Sequence, residues 1–567
     1  MIQVYLNPVS RQTRQPLVSA LMDWIDYRTL PPAAGGFSDL FFDYVYDYEK
    51  VRQFFPTNFR ENASFESVIK GIDAAKIDRR TLQEVLAEQN STGGESPKTG
   101  ENIRLLGKGG TYAVVTGQQV GLFGGPLYTL YKAITAIALA QKLTLKFPGK
   151  NFVPVFWIEG EDHDFQEMNH VSVLDQENVP VRIEYLPGGI MPEKNVGAVG
   201  EMVFDETVRG TIDRLESLLT RTEYTPPLIA ALRECYAPGA TFNRAFQAWM
   251  NRMLPGTGLV FLTPNAPRLK KLLSPLFVRE LTEFPRISQM VISRSAELER
   301  GYHAQVKPKS INLFLFHKGG RYLIEPREND FSLKGTRAFF TKEQLLQIAG
   351  ETPELLSPNV VLRPLCQDML LPTISYVGGP SEIAYHAQLQ PLYADLGIPQ
   401  PVIYPRASVS LIQTNLLRAM EKYGLDLPEF LGEIGKVTAK VVEQISEIKL
   451  ETLFSNVTKT LHEALGELKF GLNEVDPTLL GALENVSSKI DVNIGVLREK
   501  SAAAQKRRNE TAVRQIEKAA AGLLPAGSLQ ERELSPLYYM NKYGEGLGAW
   551  LADRIDITGF KHQILQP

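Results

Sequence analysis

The residues with the most evident chemistry lie directly after an apolar strand predicted at Val153–Ile158. Within six positions the chain carries one imidazole and four carboxylates, which are Glu159, Glu161, Asp162, His163 and Asp164. Open α/β sheets place their sites where strands end, so this crowding predicts a functional cluster. The residue types fit a metal site, an acid–base pair centred on His163, or a solvated loop in which Asp164 caps a helix. We take His163, Glu161 and Asp164 as the candidate catalytic residues.

Two glycine turns would bring backbone groups to such a cluster. Gly117–Gly125 follows a short apolar strand at Tyr112–Val115 and precedes an apolar helix that begins near Pro126. Gly378–Glu382 repeats this order of strand, paired glycines and a proline at the helix start. A glycine turn lets the backbone approach a ligand, and a helix N-terminus offers N–H groups to an anion. The spacing is neither G-x-G-x-x-G nor a Walker A loop, and a tight connection without a ligand is the alternative.

Two polar residues extend the second turn. His386 follows Glu382 by four positions, so the two side chains share a helical face and could pair, or His386 could be an ordinary surface histidine. Arg406 follows a short strand at Val402–Tyr404 and could clamp a carboxylate or a phosphate, or form a surface ion pair.

The composition narrows the class of protein. A chain of 567 residues suggests three or four structural units, and a net charge of −3 gives no indication of a nucleic-acid surface. The two cysteines, Cys235 and Cys366, lie far apart, which fits a reducing cytosol rather than a disulfide scaffold. The start, MIQVYLNPVSRQ, lacks a signal pattern, and no apolar run reaches the length of about 18 residues that a membrane span needs. We therefore expect a cytoplasmic protein.

The elements that must position these residues alternate strands with helices, which predicts an α/β fold with a parallel sheet. Two stretches interrupt this core: a module of short strand and amphipathic helices, and a smaller segment with a hairpin at Leu313–His317 and Tyr322–Ile324. The predicted divisions are 1–174, 259–299 and 357–408 for the core, 175–258 and 300–356 for the insertions, 409–525 for a helical hairpin, and 526–567 for a segment that docks on the core.

The region from about 409 to 522 has a different composition. Proline almost vanishes and apolar residues recur at three- and four-residue spacing, interrupted by NEVDP at Asn473–Pro477. This pattern predicts two long antiparallel helices. A hairpin of this length cannot bury its own apolar seam, so we expect it to pack against a second copy of the chain.

Three blocks together resemble the bacillithiol-synthesis family of cysteine-adding enzymes. They are TGQQVGLFGGPLYTLYKAI at 116–134, PVFWIEGEDHDFQEMNH at 154–170 and SYVGGPSEIAYHAQLQPLY at 375–393. The resemblance covers essentially the whole chain. It implies a Rossmann-like core with connecting-peptide insertions, similar to the core of class I aminoacyl-tRNA synthetases, and a coiled coil that forms a homodimer. It also implies a ligase that joins the cysteine carboxylate to the amine of glucosaminyl-malate.

That reaction assigns expected roles to the candidate residues. His163 would be the base, while Glu159, Glu161 and Asp162 would hold an ammonium group or Mg²⁺. The expected substrate-binding residues are Gln118, Gln119, Tyr128, Glu159, Asp162, His386 and Arg406, and the expected cofactor-binding residues are Gly124, Gly125, Gly378, Gly379, Ser381 and Glu382. ATP would activate the carboxylate, as an adenylate or as an acyl phosphate, and no structural metal is expected.

The synthetase signatures H-I-G-H and K-M-S-K-S are absent, which leaves the route of activation open. Two other functions remain as alternatives. A non-catalytic nucleotide- or sugar-binding dimeric scaffold predicts that His163 and Glu161 point away from the crevice. A metal-dependent hydrolase would use the cluster at 159–164.

Overall fold

The computed structural model describes residues 24–31, 37–91, 96–192, 195–328 and 330–567. The N-terminal MIQVYLNPVSRQ lies outside the described residues, as do residues 92–95 of the polar stretch at 91–99, whose composition predicts a loop. The chain divides into a core unit, 24–411 with 524–567, and a helical unit, 412–523.

The first half of the core unit contains helices and strands in the following order: β1 (Trp24–Ile25), α1 (Asp39–Tyr46), α2 (Asn62–Ala74), α3 (Arg79–Asn90), α4 (Pro97–Leu106), β2 (Thr111–Gln119), α5 (Leu127–Lys146), β3 (Asn151–Glu159), α6 (Phe165–Met168), β4 (His170–Leu174), β5 (Pro180–Glu184), α7 (Thr207–Leu218), α8 (Thr225–Cys235), α9 (Phe242–Met253), β6 (Val260–Leu262), α10 (Pro267–Glu283) and α11 (Arg286–Leu298). It continues with β7 (Leu313–His317), β8 (Gly320–Arg327), β9 (Asp330–Leu333), β10 (Phe339–Phe340), α12 (Lys342–Glu351), β11 (Leu356–Pro358), α13 (Arg363–Leu370), β12 (Thr373–Gly378), α14 (Pro380–Leu396), β13 (Val402–Pro405) and β14 (Ser408–Leu411).

The helical unit comprises α15 (Thr414–Tyr423), α16 (Leu427–Phe430), α17 (Ile434–Ile445), α18 (Leu450–Val475), α19 (Leu480–Arg508) and α20 (Glu510–Leu523). The chain then returns to the core unit with α21 (Gln530–Glu533), α22 (Pro536–Tyr543), α23 (Leu547–Arg554) and β15 (His562–Leu565).

A five-stranded parallel sheet, in the order β13-β12-β2-β3-β6, forms the centre of the core unit. Its strands are buried along almost their whole length, as expected when helices cover both faces of a parallel sheet. Here α5 packs on β2 and β3, while α3 and α4 contact the sheet through β6 and β2. The predicted α/β class is therefore confirmed.

The strand order reverses beside β2. From β2 the chain adds β3 and β6 on one side, and after the insertions it returns to place β12 and β13 on the other side. The carboxyl ends of β2 and β12 therefore flank a topological switch point, where parallel α/β sheets leave a crevice for ligands.

Among the described residues, three smaller sheets lie outside the central sheet. β7 and β8 form the predicted hairpin within an antiparallel sheet of order β10-β9-β8-β7-β11, and β4 pairs with β5. β15 lies between β1 and β14. The sequence at 359–363 also predicts a strand, and this prediction is wrong: β11 ends at Pro358, and the Asn359 side chain accepts the N–H groups of Val361 and Leu362 that precede α13.

The helical unit contains the predicted hairpin. α18 and α19 run alongside each other and join through a short turn at Pro477–Leu479, where the Asp476 side chain accepts the Thr478 N–H. Neither long helix contains a buried residue. Among the described residues, no helix combines the length and the apolarity that crossing a membrane requires.

Candidate active site

The carboxyl ends of β2, β3, β12 and β13 surround a cavity of about 570 Å³. All three sequence blocks contribute to its walls, as does the start of α14 at the switch point. The predicted site residues that line it are Gln118, Gln119, Tyr128, Glu159, Asp162, His163, Gly379, Ser381, Glu382 and Arg406. The fold thus brings together residues that are almost 300 positions apart.

Lys132 joins the first and the third block. Its side chain is only 4% exposed, and its Nζ donates to the carbonyl oxygen of Gly117 at 3.0 Å and to Gln118 Oε1 at 2.9 Å. It also pairs with Glu382 Oε2 at 2.6 Å. Burial lowers the pKa of Lys132, and the Glu382 carboxylate opposes this effect. Because three acceptors occupy its three protons, Lys132 fixes the end of β2 against the start of α14.

The carboxylate of Glu382 lies at the N-terminus of its own helix, α14. Glu382 Oε2 accepts the Gly379 N–H at 2.8 Å, and Oε1 accepts the Tyr376 hydroxyl at 2.6 Å. Burial raises the pKa of Glu382, but Lys132 and the Gly379 N–H outweigh it, so the pKa lies below its ordinary value. The carboxylate of Glu382 therefore occupies the helix N-terminus that the sequence offered to a ligand.

The acidic cluster after β3 separates into different environments. Glu159, Asp162 and His163 line the cavity, whereas Glu161 is 1% exposed and pairs with Lys270 at 2.5 Å. Asp164 caps α6 by accepting the Glu167 N–H at 3.3 Å, as the solvated-loop interpretation predicted for this residue. Glu161 and Asp164, two of the three candidate catalytic residues, thus lie outside the cavity lining.

Glu159 lies at the end of β3, and its carboxylate accepts one hydrogen bond from the part of the chain that the structure describes. Trp157 Nε1 donates to Glu159 Oε2 at 3.0 Å. Burial and the neighbouring Glu161 raise the pKa of Glu159, while Arg363 and Arg321 favour its charged form less strongly.

Asp162 and His163 are held by Arg321, which the sequence gave no reason to select. Arg321 Nη1 lies 3.4 Å from Asp162 Oδ1 and 3.2 Å from His163 Nδ1, while Gln119 Nε2 donates to Asp162 Oδ2 at 2.6 Å. Burial raises the pKa of Asp162, but the contacts with His163, Arg321 and Gln119 reverse this effect, and the net pKa falls well below its ordinary value. Asp162 is therefore a firmly ionised, fully bonded carboxylate.

The insertions supply side chains that motif analysis missed. Arg321 comes from β8 and Phe314 from β7, and the guanidinium of Arg321 lies 3.9 Å from the centre of the Phe314 ring. Together with the core they give the lining seven cationic side chains against three carboxylates: Lys132, Lys307, Lys309, Arg321, Arg363, Arg406 and Arg532. Of these seven, the sequence identified only Arg406 as a candidate, and the fold identifies the other six.

Arg406 lines the cavity but is not free to clamp a ligand. Its Nη2 pairs with Glu531 Oε1 at 2.7 Å, and both side chains are at most 5% exposed. Burial lowers the pKa of Arg406, but the Glu531 carboxylate raises it by more, so the net pKa lies above its ordinary value. The surface ion pair that the sequence allowed is in fact a buried one.

Four other predicted residues lie outside the cavity lining. Gly124 and Gly125 have positive φ in a tight turn packed against Trp249, and the first N–H of α5, from Leu127, donates to the Leu534 carbonyl. Gly124 and Gly125 therefore form a tight connection outside the cavity lining. Gly378 ends β12, where its carbonyl accepts the Arg406 N–H.

His386 is the fourth of these residues, and its expected pairing with Glu382 is not formed. The ring is 1% exposed, stacks on Tyr385 at 4.8 Å, and neither ring nitrogen has a hydrogen-bond partner among the described residues. Burial lowers the pKa of His386 to about 3. His386 therefore lies behind the wall of the cavity as a neutral ring.

Within the described residues, no three His, Cys, Asp or Glu side chains are grouped so that they could hold a metal ion. The cluster at 159–164 does not converge, because Glu161 turns towards Lys270 and Asp164 towards α6.

The sequence matches two family models over nearly its whole length. Residues 25–407 match the N-terminal Rossmann-like domain of bacillithiol biosynthesis BshC, and residues 409–567 match its C-terminal coiled-coil domain. Three curated relatives carry the name "Putative cysteine ligase BshC". The relative from Salinibacter ruber is 39% identical and aligns over 95% of this chain and 98% of its own. Those from Chloroherpeton thalassium and Chlorobaculum tepidum are 34% and 36% identical, over 96% and 93% of this chain and 99% and 96% of theirs.

Proposed function

This chain belongs to the bacillithiol biosynthesis BshC family, and we propose that it is a cysteine ligase. The reaction is the formation of an amide between the carboxylate of cysteine and the amine of glucosaminyl-malate, as the last step of bacillithiol biosynthesis. We place this reaction in the cavity at the switch point of the central sheet.

The excess of positive charge in the lining is the observation that supports this assignment. Seven cations face three carboxylates, and Glu382 and Asp162 are already bonded to neighbouring side chains. Cysteine carries one carboxylate and the malate group carries two, so both substrates need cationic partners. A cavity of about 570 Å³ is of the size that holds small organic ligands.

A carboxylate acylates an amine only after its oxygen has become a good leaving group. We propose that ATP, with Mg²⁺, supplies this activation. Arg363 and Lys307 are lining cations suited to phosphate charge, since Lys132 and Arg406 are bonded to carboxylates within the protein. Mg²⁺ would reach this site with the nucleotide, because it is commonly bound through substrate phosphates.

The two alternative functions have less support. The scaffold predicted that His163 and Glu161 point away from the crevice, and only Glu161 does so. The hydrolase needs the cluster at 159–164 to converge on a metal, whereas Glu161 and Asp164 have other partners.

We further propose a cytoplasmic homodimer that assembles through α18 and α19. These helices expose large apolar side chains along their length, which are Leu453, Val457, Leu468, Phe470, Val475, Val486, Val492, Val496 and Leu497. An exposed apolar seam of this kind is typical of a helical interface.

The function is tested by incubating the purified protein with glucosaminyl-malate, cysteine and ATP–Mg²⁺ and analysing the products by mass spectrometry. We expect the cysteinyl amide together with either AMP or ADP, which also identifies the activated species. A protein that releases hydrolysed substrate and no amide would contradict the ligase assignment.

A further inference from the structure

We propose that Glu159, rather than His163, is the general base that deprotonates the attacking amine. The inference rests on the proposed ligase function and assigns the proton-transfer step within it. It follows from which lone pairs in the cavity are already occupied, since a base must have one directed at its substrate.

Two of the three lining carboxylates have no such lone pair to offer. Glu382 accepts hydrogen bonds from Tyr376 and Gly379 and pairs with Lys132, all within 2.8 Å. Asp162 accepts from the His163 N–H at 2.7 Å and from Gln119 at 2.6 Å, with Arg321 at 3.4 Å. Both carboxylates are held in their ionised form by these neighbours.

His163 is oriented as a donor. A guanidinium has only donors, so Arg321 Nη1, at 3.2 Å, can interact favourably with His163 Nδ1 only when that nitrogen carries a lone pair. The neutral ring then carries its proton on Nε2. Asp162 Oδ1 lies 3.4 Å from the same Nδ1 and would favour a proton there, but it already accepts the shorter bond from the backbone N–H. His163 thus presents an N–H to the cavity, suited to a developing negative charge on the carboxyl oxygen.

Glu159 is the remaining carboxylate. Its Oε2 accepts from Trp157 at 3.0 Å, and within the described residues no hydrogen bond reaches Oε1. Three charged groups act on the pKa of Glu159, namely Glu161, Arg363 from α13 and Arg321 from β8. Burial and the Glu161 carboxylate raise this pKa by more than the two guanidinium groups lower it. A carboxylate with a raised pKa and a free oxygen has the properties of a base for an ammonium substrate.

The proton transfers balance as follows. The ammonium group of glucosaminyl-malate gives one proton to Glu159 Oε1 and becomes a neutral amine. The nitrogen lone pair forms the C–N bond to the activated carboxyl carbon of cysteine. The bond from that carbon to the phosphate oxygen breaks with its electron pair on the oxygen, and the second nitrogen proton leaves with the departing phosphate.

The test compares two acceptors in the Glu159→Gln variant. The natural acceptor, glucosaminyl-malate, is an ammonium ion that needs a base, whereas hydroxylamine is neutral near pH 7 and does not. Amide and cysteine hydroxamate are each quantified by mass spectrometry. We expect the variant to lose amide formation by about 100-fold or more, the usual contribution of a general base, and to form the hydroxamate at close to the wild-type rate. Glu184→Gln, an exposed change on β5, is the matched control and should leave both rates unchanged.

Loss of both products in Glu159→Gln, with a higher KM for cysteine, would show that Glu159 binds an ammonium group instead and would overturn the proposal. Retention of both products would do the same. A wild-type protein that forms hydroxamate but no amide shows that the acceptor in the proposed function is wrong, and the proton transfer assigned to Glu159 is overturned with it. An error in the assignment of Glu159 alone is recognised by a wild type that forms both products and a variant that does not separate them. A wild-type protein that forms neither product overturns both.

The protonation of His163 provides a second, independent measurement. ¹⁵N NMR of the wild-type protein should show Nε2 protonated and Nδ1 unprotonated, and Arg321→Gln should remove this preference. A wild-type ring with its proton on Nδ1 would leave Nε2 available as a base and would contradict the assignment of Glu159.

Discussion

At the scale of single residues, the role of each polar side chain is decided by the partner it meets. Glu159 and Glu161 are two positions apart on one loop, yet one lines the cavity and the other is buried against Lys270. Lys132 and Arg363 both line the cavity, but Lys132 has all its protons bonded within the protein. Residue type and position along the chain therefore set what a side chain can do, and its neighbours set what it does.

His386 provides a prediction at this scale. A buried ring with two unbonded nitrogens costs free energy, so His386→Phe should raise the free energy of unfolding by about 1–3 kcal/mol at pH 7. Below the ordinary pKa of 6.5, the unfolded chain binds a proton that the folded protein, with a pKa of about 3, excludes. Between pH 7 and pH 5 the free energy of unfolding of the wild type therefore falls by about a further 2 kcal/mol, whereas that of the variant does not.

Tryptophan fluorescence during urea unfolding is the measurement, because all four tryptophans, Trp24, Trp157, Trp249 and Trp550, lie in the core unit. The groups that act on His386 are Arg363 and Glu382, and both are unchanged in the variant. The ligase activity should persist, since His386 does not line the cavity. Parallel dependence of the two proteins on pH would contradict the neutral, buried state of this ring.

At the scale of elements, a buried ion pair and the hydrogen bonds around it connect the end of β3 to the second insertion. Lys270 on α10 pairs with Glu161 beyond β3, and its Nζ donates to the carbonyl of Leu356 at 2.8 Å. Ser357 on β11 donates to Glu161 Oε2 at 3.0 Å and accepts from Arg321 Nε at 3.0 Å. This chain of hydrogen bonds runs from a buried pair to the residue that holds Asp162 and His163, so the second insertion is part of the site.

Glu161→Gln tests this connection. The amide removes the negative charge and leaves the Lys270 ammonium uncompensated in a fully buried position, so the free energy of unfolding should fall by about 3–5 kcal/mol. Urea unfolding followed by tryptophan fluorescence measures the change. The double variant Glu161→Gln with Lys270→Met also removes the unpaired ammonium group, and it should recover part of the lost free energy of unfolding. A double variant no more stable than Glu161→Gln would show that the ion pair is not the cause.

At the scale of the whole molecule, the candidate site and the exposed apolar side chains of the long helices belong to different units. The cavity and every residue that lines it belong to the core unit, whereas the longest exposed apolar seam belongs to α18 and α19. Phe470 and Val475 are about 80% exposed, at 81% and 78%, which a monomer in water does not favour. We attribute this seam to the interface of the proposed homodimer.

Removal of the hairpin tests that interface. Asn509 Nδ2 donates to Ser446 Oγ at 3.1 Å, so residues 450–508 can be replaced by a short Gly-Ser linker without separating the flanking helices. Light scattering should show a dimer for the full chain and a monomer for the shortened one. Leu468→Glu with Phe470→Glu should have the same effect in the full-length protein, because buried like charges oppose association. A shortened protein that remains dimeric would exclude the hairpin as the interface.

Much of the architecture could be predicted from the sequence. Apolar runs followed by glycine or acidic residues indicated β2, β3 and β12, and a period of three to four residues indicated the helical hairpin. The three blocks also predicted the position of the cavity, because parallel strands present their carboxyl ends at one edge of a sheet. The exact ends of elements were less predictable, since β2 continues to Gln119 through the expected turn. The charge and apolar pattern of 267–300 predicts one helix, whereas the structure has two, α10 and α11.

The sequence by itself determined the class of fold, the hairpin, and which strand ends carry reactive groups, since these depend on local periodicity and composition. Only the tertiary structure decided which of those groups face the cavity. Glu161 pairs with Lys270, which is 109 positions away in the sequence. Arg321 contacts His163 across 158 positions, and Glu531 pairs with Arg406 across 125 positions. The physical reason is that desolvation and hydrogen bonding depend on neighbours in space, and these neighbours come from distant parts of the chain that carry no motif.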